Sequence, residues 1–224
     1  MSNLALPQVR SAISLSLRTS TGATLLAVLL GTPAANLMAR RNFSGRTLVD
    51  NLIDLPIVLP PAVAGLSLLL VFGRRGWIGA PLAEWGLRVT FTEAAVVIAQ
   101  TFIAVSLFIR AASIGFGAVE PELEDAAAID GATHWQTFRH VTVPLARRAL
   151  LTGVALAWAR ALGEFGATIT FAGNIEGRTQ TLPLAVYLQL EQRPEAAIAM
   201  SLVLLAVSLV VLVALRDRWF GRAS

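Results

Sequence analysis

Few side chains in this sequence could support acid–base or nucleophilic chemistry. It contains no cysteine, which excludes disulfides, thiolate nucleophiles and cysteine-based metal sites. The only two histidines, His134 and His140, follow Asp130 in one polar loop, with no nucleophile or metal-ligand spacing beside them. We therefore expect neither a catalytic site nor a metal site, which argues against a membrane-embedded enzyme.

Every basic residue is arginine, and lysine is absent. A phosphate-binding loop of the GxxxxGK[ST] type needs its lysine, so this chain cannot hydrolyse a nucleotide by that route. If ATP drives its function, another subunit must supply the ATPase. The arginines are scattered between apolar runs, which favours charges that flank membrane spans over a nucleic-acid-binding stripe.

One charged pair interrupts an apolar run. In ARALGEFGATITF, Arg160 and Glu164 lie one helical turn apart, beside Gly163 and Gly166. A charge near mid-membrane costs roughly 2.5–3.5 kcal/mol on insertion scales, and pairing at i, i+4 offsets part of that cost. Two interpretations remain open: a neutralised pair that anchors helix packing, or a pair that faces a water-filled path or gate. The second would also allow a proton-coupled carrier with Glu164 as the relay.

The elements that position these residues are membrane spans. The chain is 55% hydrophobic and 14% charged, whereas about a quarter of a soluble protein is charged. Five apolar stretches are long enough to cross a bilayer, at about residues 15–39, 48–72, 94–116, 143–171 and 196–215. We predict an all-α polytopic membrane protein of five transmembrane helices in one domain, residues 1–224. The first twenty residues lack a signal-peptide pattern, so the first span is expected to direct insertion.

The second span contains three prolines in LPIVLPPAVAG, among them Pro60 and Pro61. Prolines remove backbone donors and bend or break a membrane helix. A broken helix that lines a pathway and a kink that serves packing are both compatible with this pattern. At the start of the span, Arg46, Asp50 and Asp54 fall on one helix face. We interpret that row as structural, because acidic residues are favourable near a helix N-terminus.

The distribution of arginine predicts the orientation. Cytoplasmic ends of spans carry an excess of basic residues, and this excess favours an N-terminus outside, a C-terminus inside and the loop 120–142 in the cytoplasm. The inner arginines are then Arg40, Arg41, Arg46, Arg110, Arg139, Arg147, Arg148, Arg216, Arg218 and Arg222. The outer ones are Arg10, Arg18, Arg74, Arg75, Arg88, Arg178 and Arg193.

The segment Leu123–Pro144, LEDAAAIDGATHWQTFRHVTVP, is a polar island between two spans. A short helix is expected to start at Asp125 and to run through three alanines, and Gly131 is suited to a left-handed stop. Residues 134–138 form a second amphipathic turn, and Pro144 fits the first turn of the next span. The pattern predicts two short helices along the membrane surface, with small side chains that allow a partner to bind closely.

DAAAIDG followed by V-x-V-P, with the proline thirteen residues after the glycine, resembles the cytoplasmic loop signature of ABC importer membrane subunits, EAA-x3-G-x9-I-x-L-P. In that family the loop forms a coupling helix that docks into the nucleotide-binding subunit. This chain departs from the signature at Asp125, Val141 and Val143, each a conservative change. The coupling residues that the resemblance implies are Glu124, Asp125, Ala126, Ala127, Asp130, Gly131 and Pro144.

Two further segments, Leu55–Gly79 and Ala159–Tyr187, resemble molybdate permease subunits and, next, the sulfate/thiosulfate permeases. This resemblance implies the ABC importer type I permease fold in the bacterial plasma membrane. It also implies a homodimer on two ATP-binding ABC subunits, which hold ATP and Mg, with a periplasmic or extracellular oxyanion-binding protein outside; this chain binds no cofactor. An odd number of spans without an internal repeat independently favours a two-fold dimer. Tungstate, sulfate or thiosulfate, and a proton-coupled anion carrier, remain the alternatives.

Two sets of residues are then expected to meet the transported ion. The path or gate residues are Arg160, Gly163, Glu164, Gly166, Pro60 and Pro61. The outer arginines Arg74, Arg75, Arg88, Arg178 and Arg193 either concentrate a dianion or pair with acids of the binding protein. Alternatively, they only mark the boundary with the lipid headgroups.

Overall fold

The structure, a computed structural model, describes residues 7–220, and within this range it contains helices and connecting loops but no strand. The predicted all-α class is therefore confirmed. The helices are α1 (Pro7–Arg40), α2 (Arg46–Val58), α3 (Pro61–Phe72), α4 (Gly79–Glu84), α5 (Glu93–Gly117), α6 (Pro121–Ile129), α7 (His134–Thr137), a π-helix (Phe138–Thr142), α8 (Val143–Leu162), α9 (Gly166–Phe171), α10 (Leu182–Gln192) and α11 (Pro194–Phe220).

Four helical runs in the described chain are long and apolar enough to cross a membrane: α1, α5, the run from His134 to Leu162, and α11. Helices α1 and α5 are parallel neighbours. The Thr101 hydroxyl donates to the carbonyl of Ala23 at 3.4 Å, and the Ser113 hydroxyl donates to that of Ala35 at 3.3 Å. Both helices therefore end at the same side of the bundle, so α2 and α3 together return the chain to the other side as a fifth crossing.

This fifth crossing is broken, as the prolines predicted. Helices α2 and α3 meet at a bend of 116°, and between them Leu59 and Pro60 are extended, with ψ of 135° and 133°. A residue that precedes proline is sterically driven out of the helical region, and here Pro60 and Pro61 impose this on two consecutive residues. Pro61 then begins α3, where its missing N–H has no helical partner to lose.

The fourth predicted span, residues 143–171, is interrupted in the structure. Helix α8 begins at Val143, but α7 and the π-helix extend it back to His134 as one helical run, so the expected second surface helix is continuous with this span and not separate from it. A π-helical turn lies just before Pro144, and the Val143 amide donates to the carbonyl of Phe138. The widened turn accommodates a proline whose ring would otherwise clash with the carbonyl four residues earlier. The helix ends at Leu162, and the short α9 follows after a break.

The core lies where α1, α5 and α8 meet around the buried Phe108. A Cβ added to Gly31 would come within 2.7 Å of the Phe108 ring, and one added to Gly153 would come within 3.2 Å. Small residues at these positions let three helices approach closely, which is how membrane helices gain packing energy. Two helices that the sequence did not predict, α4 and α10, lie in the segments between crossings; α10 packs against the start of α1 and against α11.

Candidate functional site

Helix α6 is the short helix of the polar island, and both its ends are fixed by the local sequence. It starts at Pro121, four residues before the expected start at Asp125, because proline is favoured in a first helical turn. It ends as predicted at Gly131, whose φ is +87°. The Ala132 amide donates to the carbonyl of Ala127 at 2.9 Å, and the Gly131 amide donates to that of Ala128 at 3.0 Å. These two bonds are a Schellman cap.

The outer face of α6 exposes four of the predicted coupling residues, Asp125, Ala126, Asp130 and Gly131, together with Ala128 and Ile129, which were not predicted. Of the other predicted residues, Ala127 is half-buried and Pro144 is exposed in the first turn of α8. Two large apolar side chains are exposed close to them, Ile129 at 86% and Trp135 at 65%. A polar segment that presents such side chains beside small alanines offers a surface for a protein partner. We call this surface the α6 face.

Glu124 points the other way. Its Oε1 accepts a hydrogen bond from Arg40 Nη2 at 2.7 Å and another from the Thr142 hydroxyl at 2.5 Å. Arg40 also donates from Nη1 to the carbonyl of Val119 at 3.2 Å. Glu124 thus ties α6 to the last turn of α1 and to the turn before α8. Sequence reasoning grouped Glu124 with the docking residues and did not identify Arg40 or Thr142 as its partners.

A second ion-pair cluster joins α2 to α5 near the same end of the bundle. Arg110 binds Asp54 through Nε and Nη2, each at 2.7 Å, and its Nη1 lies 2.8 Å from Asp50. Arg46 adds a longer contact to Asp50 at 3.9 Å. The predicted Arg46–Asp50–Asp54 row is therefore an attachment of α2 to α5, and Arg110 is the partner that the sequence did not reveal.

The two broken helices meet each other. A Cβ added to Gly166, at the start of α9, would lie 2.5 Å from Cβ of Pro61, at the start of α3. One added to Gly65 would lie 2.8 Å from the carbonyl oxygen of Ala167. Helices α3 and α9 therefore run side by side in the same direction from the two breaks. The structure thus brings together two predicted path residues that lie more than a hundred positions apart in the sequence.

Arg160 and Glu164 form the expected ion pair, with Nη1 2.7 Å from Oε2, and Glu164 is only 1% exposed. Their position refines the sequence interpretation. The helix ends at Leu162, and Glu164 Oε1 accepts from the Ala167 amide at 2.8 Å, so the carboxylate caps α9 from within the break that begins at Gly163. The pair therefore joins the last turn of α8 to α9 and does not lie within one continuous helix.

These features define an all-α membrane protein with broken crossing helices and an exposed helical loop between two crossings. The fold agrees with a solved bacterial ABC transporter involved in the import of the acidic polysaccharide alginate, with a TM-score of 0.78 and 16% identity over 100% of this chain and 82% of that one. A bacterial alginate ABC transporter solved in complex with an alginate-pentasaccharide-bound periplasmic protein gives a TM-score of 0.76 and 17% identity, over 99% of this chain and 82% of that one.

The chain belongs to the family described as the binding-protein-dependent transport system inner membrane component, whose sequence model matches residues 4–220. It is therefore a multi-pass membrane transport subunit and not itself an enzyme. It is 42% identical over 212 residues to the molybdenum transport system permease protein ModB of Mycobacterium tuberculosis, covering 95% of this chain and 80% of that protein. It is 38% identical over 214 residues to ModB of Escherichia coli, covering 95% of this chain and 93% of that protein. The chain is also similar to the sulfate transport system permease protein CysT of Escherichia coli, with 39% identity over 219 residues, covering 96% of this chain and 79% of that protein.

Proposed function

We propose that this chain is the permease subunit of an ATP-driven importer that moves molybdate across the bacterial plasma membrane. The observation that supports this most strongly is the loop built from α6, the Gly131 cap and Pro144. It presents an exposed face to a partner and is tied through Glu124 to two crossing helices. The similarity to ModB proteins along nearly the whole chain supports molybdate as the cargo.

The assembly that we propose contains two copies of this chain, two ATP-binding ABC subunits and a periplasmic or extracellular oxyanion-binding protein. The ATPase subunits bind ATP and Mg and dock on the α6 face, through Asp125, Ala126, Ala127, Asp130 and Gly131. The likeness to a transporter solved with a periplasmic protein supports a binding protein at the opposite side. The N-terminus then lies outside and the C-terminus inside.

In this scheme the ATPase subunits move the permease by acting on α6. When the ATPase subunits close, α6 moves with them, and the Glu124 contacts pull on the inner ends of α1 and α8. Alternating access in such transporters is largely rigid-body rocking around a fixed path. The helices held together by the α1–α5–α8 core would move as one unit.

The paired breaks of α3 and α9 are the proposed path or gate, with Pro60, Pro61, Gly163 and Gly166 forming its backbone. Non-helical backbone at membrane depth is tolerated where it is buried in protein or lines a cavity. Both oxygens of Glu164 are engaged. We therefore assign Glu164 to holding the gate in shape, and not to relaying protons.

Sulfate is the second candidate cargo, because the 39% identity to the sulfate permease CysT of Escherichia coli is similar to the 38% identity to ModB of the same organism. Uptake of radiolabelled molybdate by molybdate-starved cells that express the transporter tests the choice. The proposal expects uptake that a hundredfold excess of sulfate leaves unchanged and that tungstate inhibits, because tungstate is the closest chemical analogue. Uptake of sulfate that molybdate does not inhibit would contradict the molybdate assignment.

A further inference from the structure

A cavity of about 340 Å³ lies at the end of the bundle opposite α6. Three separate segments supply one arginine each to its lining. Arg74 follows α3, Arg88 lies in the loop before α5, and Arg178 lies in the loop after α9. We call this cavity the outer arginine cavity. Thr90 and Thr92 also line it, but the Thr92 hydroxyl already donates to the carbonyl of Val89, so the three guanidinium groups are the main donors in the cavity.

Within the part of the chain that the structure describes, none of these three arginines lies within 4.0 Å of a carboxylate. The acids nearest in sequence, Glu84, Glu93 and Glu176, do not line the cavity, and Glu93 is directed to Arg18 at 3.9 Å. Three cations in one concave site, with no carboxylate among the described residues that line it, focus a positive potential on any anion that enters.

The rim of the cavity is held in a defined shape. Phe91 has φ of +58°, a conformation that costs a non-glycine residue about 1–2 kcal/mol. Gly173 leaves space for it, since an added Cβ there would lie 3.0 Å from the Phe91 ring. Thr92 caps α5 by accepting from the Ala95 amide at 3.3 Å, and its hydroxyl donates to the carbonyl of Val89 at 2.5 Å. The loop before α5 is therefore fixed at the cavity and does not have to be ordered by a ligand.

The cavity opens at the end of the proposed path. Phe72, the last residue of α3, lines the cavity and packs against Phe171 of α9 with 6.1 Å between ring centroids. The pair of broken helices therefore begins at the α3–α9 breaks and ends directly beneath the arginines. An anion held in the cavity would be next to the path.

We propose that the outer arginine cavity is an oxyanion-binding site of the permease itself, in which a tetrahedral dianion is held by Arg74, Arg88 and Arg178 before it enters the path. This proposal rests on the proposed function. Guanidinium groups donate in pairs to oxyanions, and arginines from three separate segments can contact different oxygens of a tetrahedral ion. A carboxylate of a docked protein, in contrast, offers its oxygens in one plane. Each copy of this chain would contain one such site.

The test uses the assembled transporter with its ATPase subunits in lipid nanodiscs, without the binding protein, and measures binding of radiolabelled molybdate, tungstate and sulfate by equilibrium dialysis. The variant R74Q/R178Q removes two cavity arginines. The control R75Q/R193Q removes the same charge from outer arginines that do not line the cavity. We expect R74Q/R178Q to lower the molybdate affinity about tenfold or more, because it removes charge-assisted hydrogen bonds at a partly exposed site. We expect R75Q/R193Q to lower it less than about twofold.

Three results would overturn the site: no oxyanion binding by the wild-type transporter, equal affinity in both variants, or unchanged oxyanion binding together with weaker docking of the loaded binding protein. The last result would assign the arginines to protein docking. Cellular uptake separates this proposal from the proposed function. If the wild-type transporter takes up no molybdate, the proposed function fails, whereas normal uptake with R74Q/R178Q at limiting molybdate refutes the cavity alone.

Discussion

Replacing Glu124 tests whether α6 is mechanically joined to the bundle. The carboxylate accepts two short hydrogen bonds, from Arg40 and Thr142, and the side chains of Arg40 and Glu124 are only 21% and 24% exposed. A hydrogen bond to a charged group contributes about 1.5–3 kcal/mol. Two bonds to one oxygen are not additive, so Glu124→Ala should weaken the docking of α6 onto the bundle by about 2–4 kcal/mol. Glu124→Gln should weaken it by about half as much, because the amide oxygen still accepts hydrogen bonds.

Hydrogen exchange measured by mass spectrometry reports this loss directly. At tenfold per 1.4 kcal/mol, α6 amides of the Glu124→Ala variant should open between about 30-fold and several hundred-fold more often than in the wild type. The neighbouring Asp125→Asn is the matched control. Asp125 is exposed and forms no ion pair within the described part of the chain, so its exchange rate should stay within about twofold of wild type.

The two variants should also fail differently in transport. Glu124→Ala should leave ATP hydrolysis by the assembled complex largely intact but reduce the amount of cargo moved per ATP, because force no longer reaches α1 and α8. Asp125→Asn should weaken association with the ATPase subunits. Unchanged exchange of α6 together with unchanged cargo per ATP in Glu124→Ala would refute the idea that this carboxylate transmits motion.

Three further changes test the loop and the gate. Gly131→Ala should weaken binding of the ATPase subunits, measured by co-purification, because the +87° φ costs an alanine about 1–2 kcal/mol; Gly131→Asn should bind more strongly than Gly131→Ala, since asparagine tolerates this conformation. Glu164→Gln should lower the thermal stability of the detergent-solubilised protein by about 1–3 kcal/mol, and unchanged stability with unchanged transport would leave the buried pair without a role. Gly166→Ala should destabilise by about 1–3 kcal/mol, because its Cβ would lie 2.5 Å from Pro61, whereas Gly117→Ala meets nothing within 4 Å and should show no loss in the same unfolding assay.

The elements that the sequence predicted correctly depend on local chemistry. Prolines in succession broke the α2–α3 crossing, glycine capped α6, and the apolar run at 94–116 became α5 at Glu93–Gly117. In each case the determining residues lie within a few positions of the feature. The backbone donor that proline lacks, the steric clash that proline causes, the left-handed conformation that glycine allows and the hydropathy of a run all act within a few residues.

The elements that it did not predict depend on contacts between distant segments. The start of α9 at Gly166 depends on the close approach of this glycine to Pro61 in α3, which a hydropathy pattern does not contain. Likewise, Glu124 reads as one of several acids in a polar loop until its partner, 84 positions away, is known. A single sequence carries no signal for such pairings, whereas covariation between these positions in a family could reveal them.

The most direct test of ATP-driven transport through the α6 face is uptake of molybdate by proteoliposomes that contain the assembled transporter and the loaded binding protein outside. The account predicts uptake when ATP is enclosed, loss of that uptake in the Gly131→Asp variant, and none when only an inward proton gradient is imposed. Uptake driven by the proton gradient without ATP, or full ATP-driven uptake with Gly131→Asp, would contradict it.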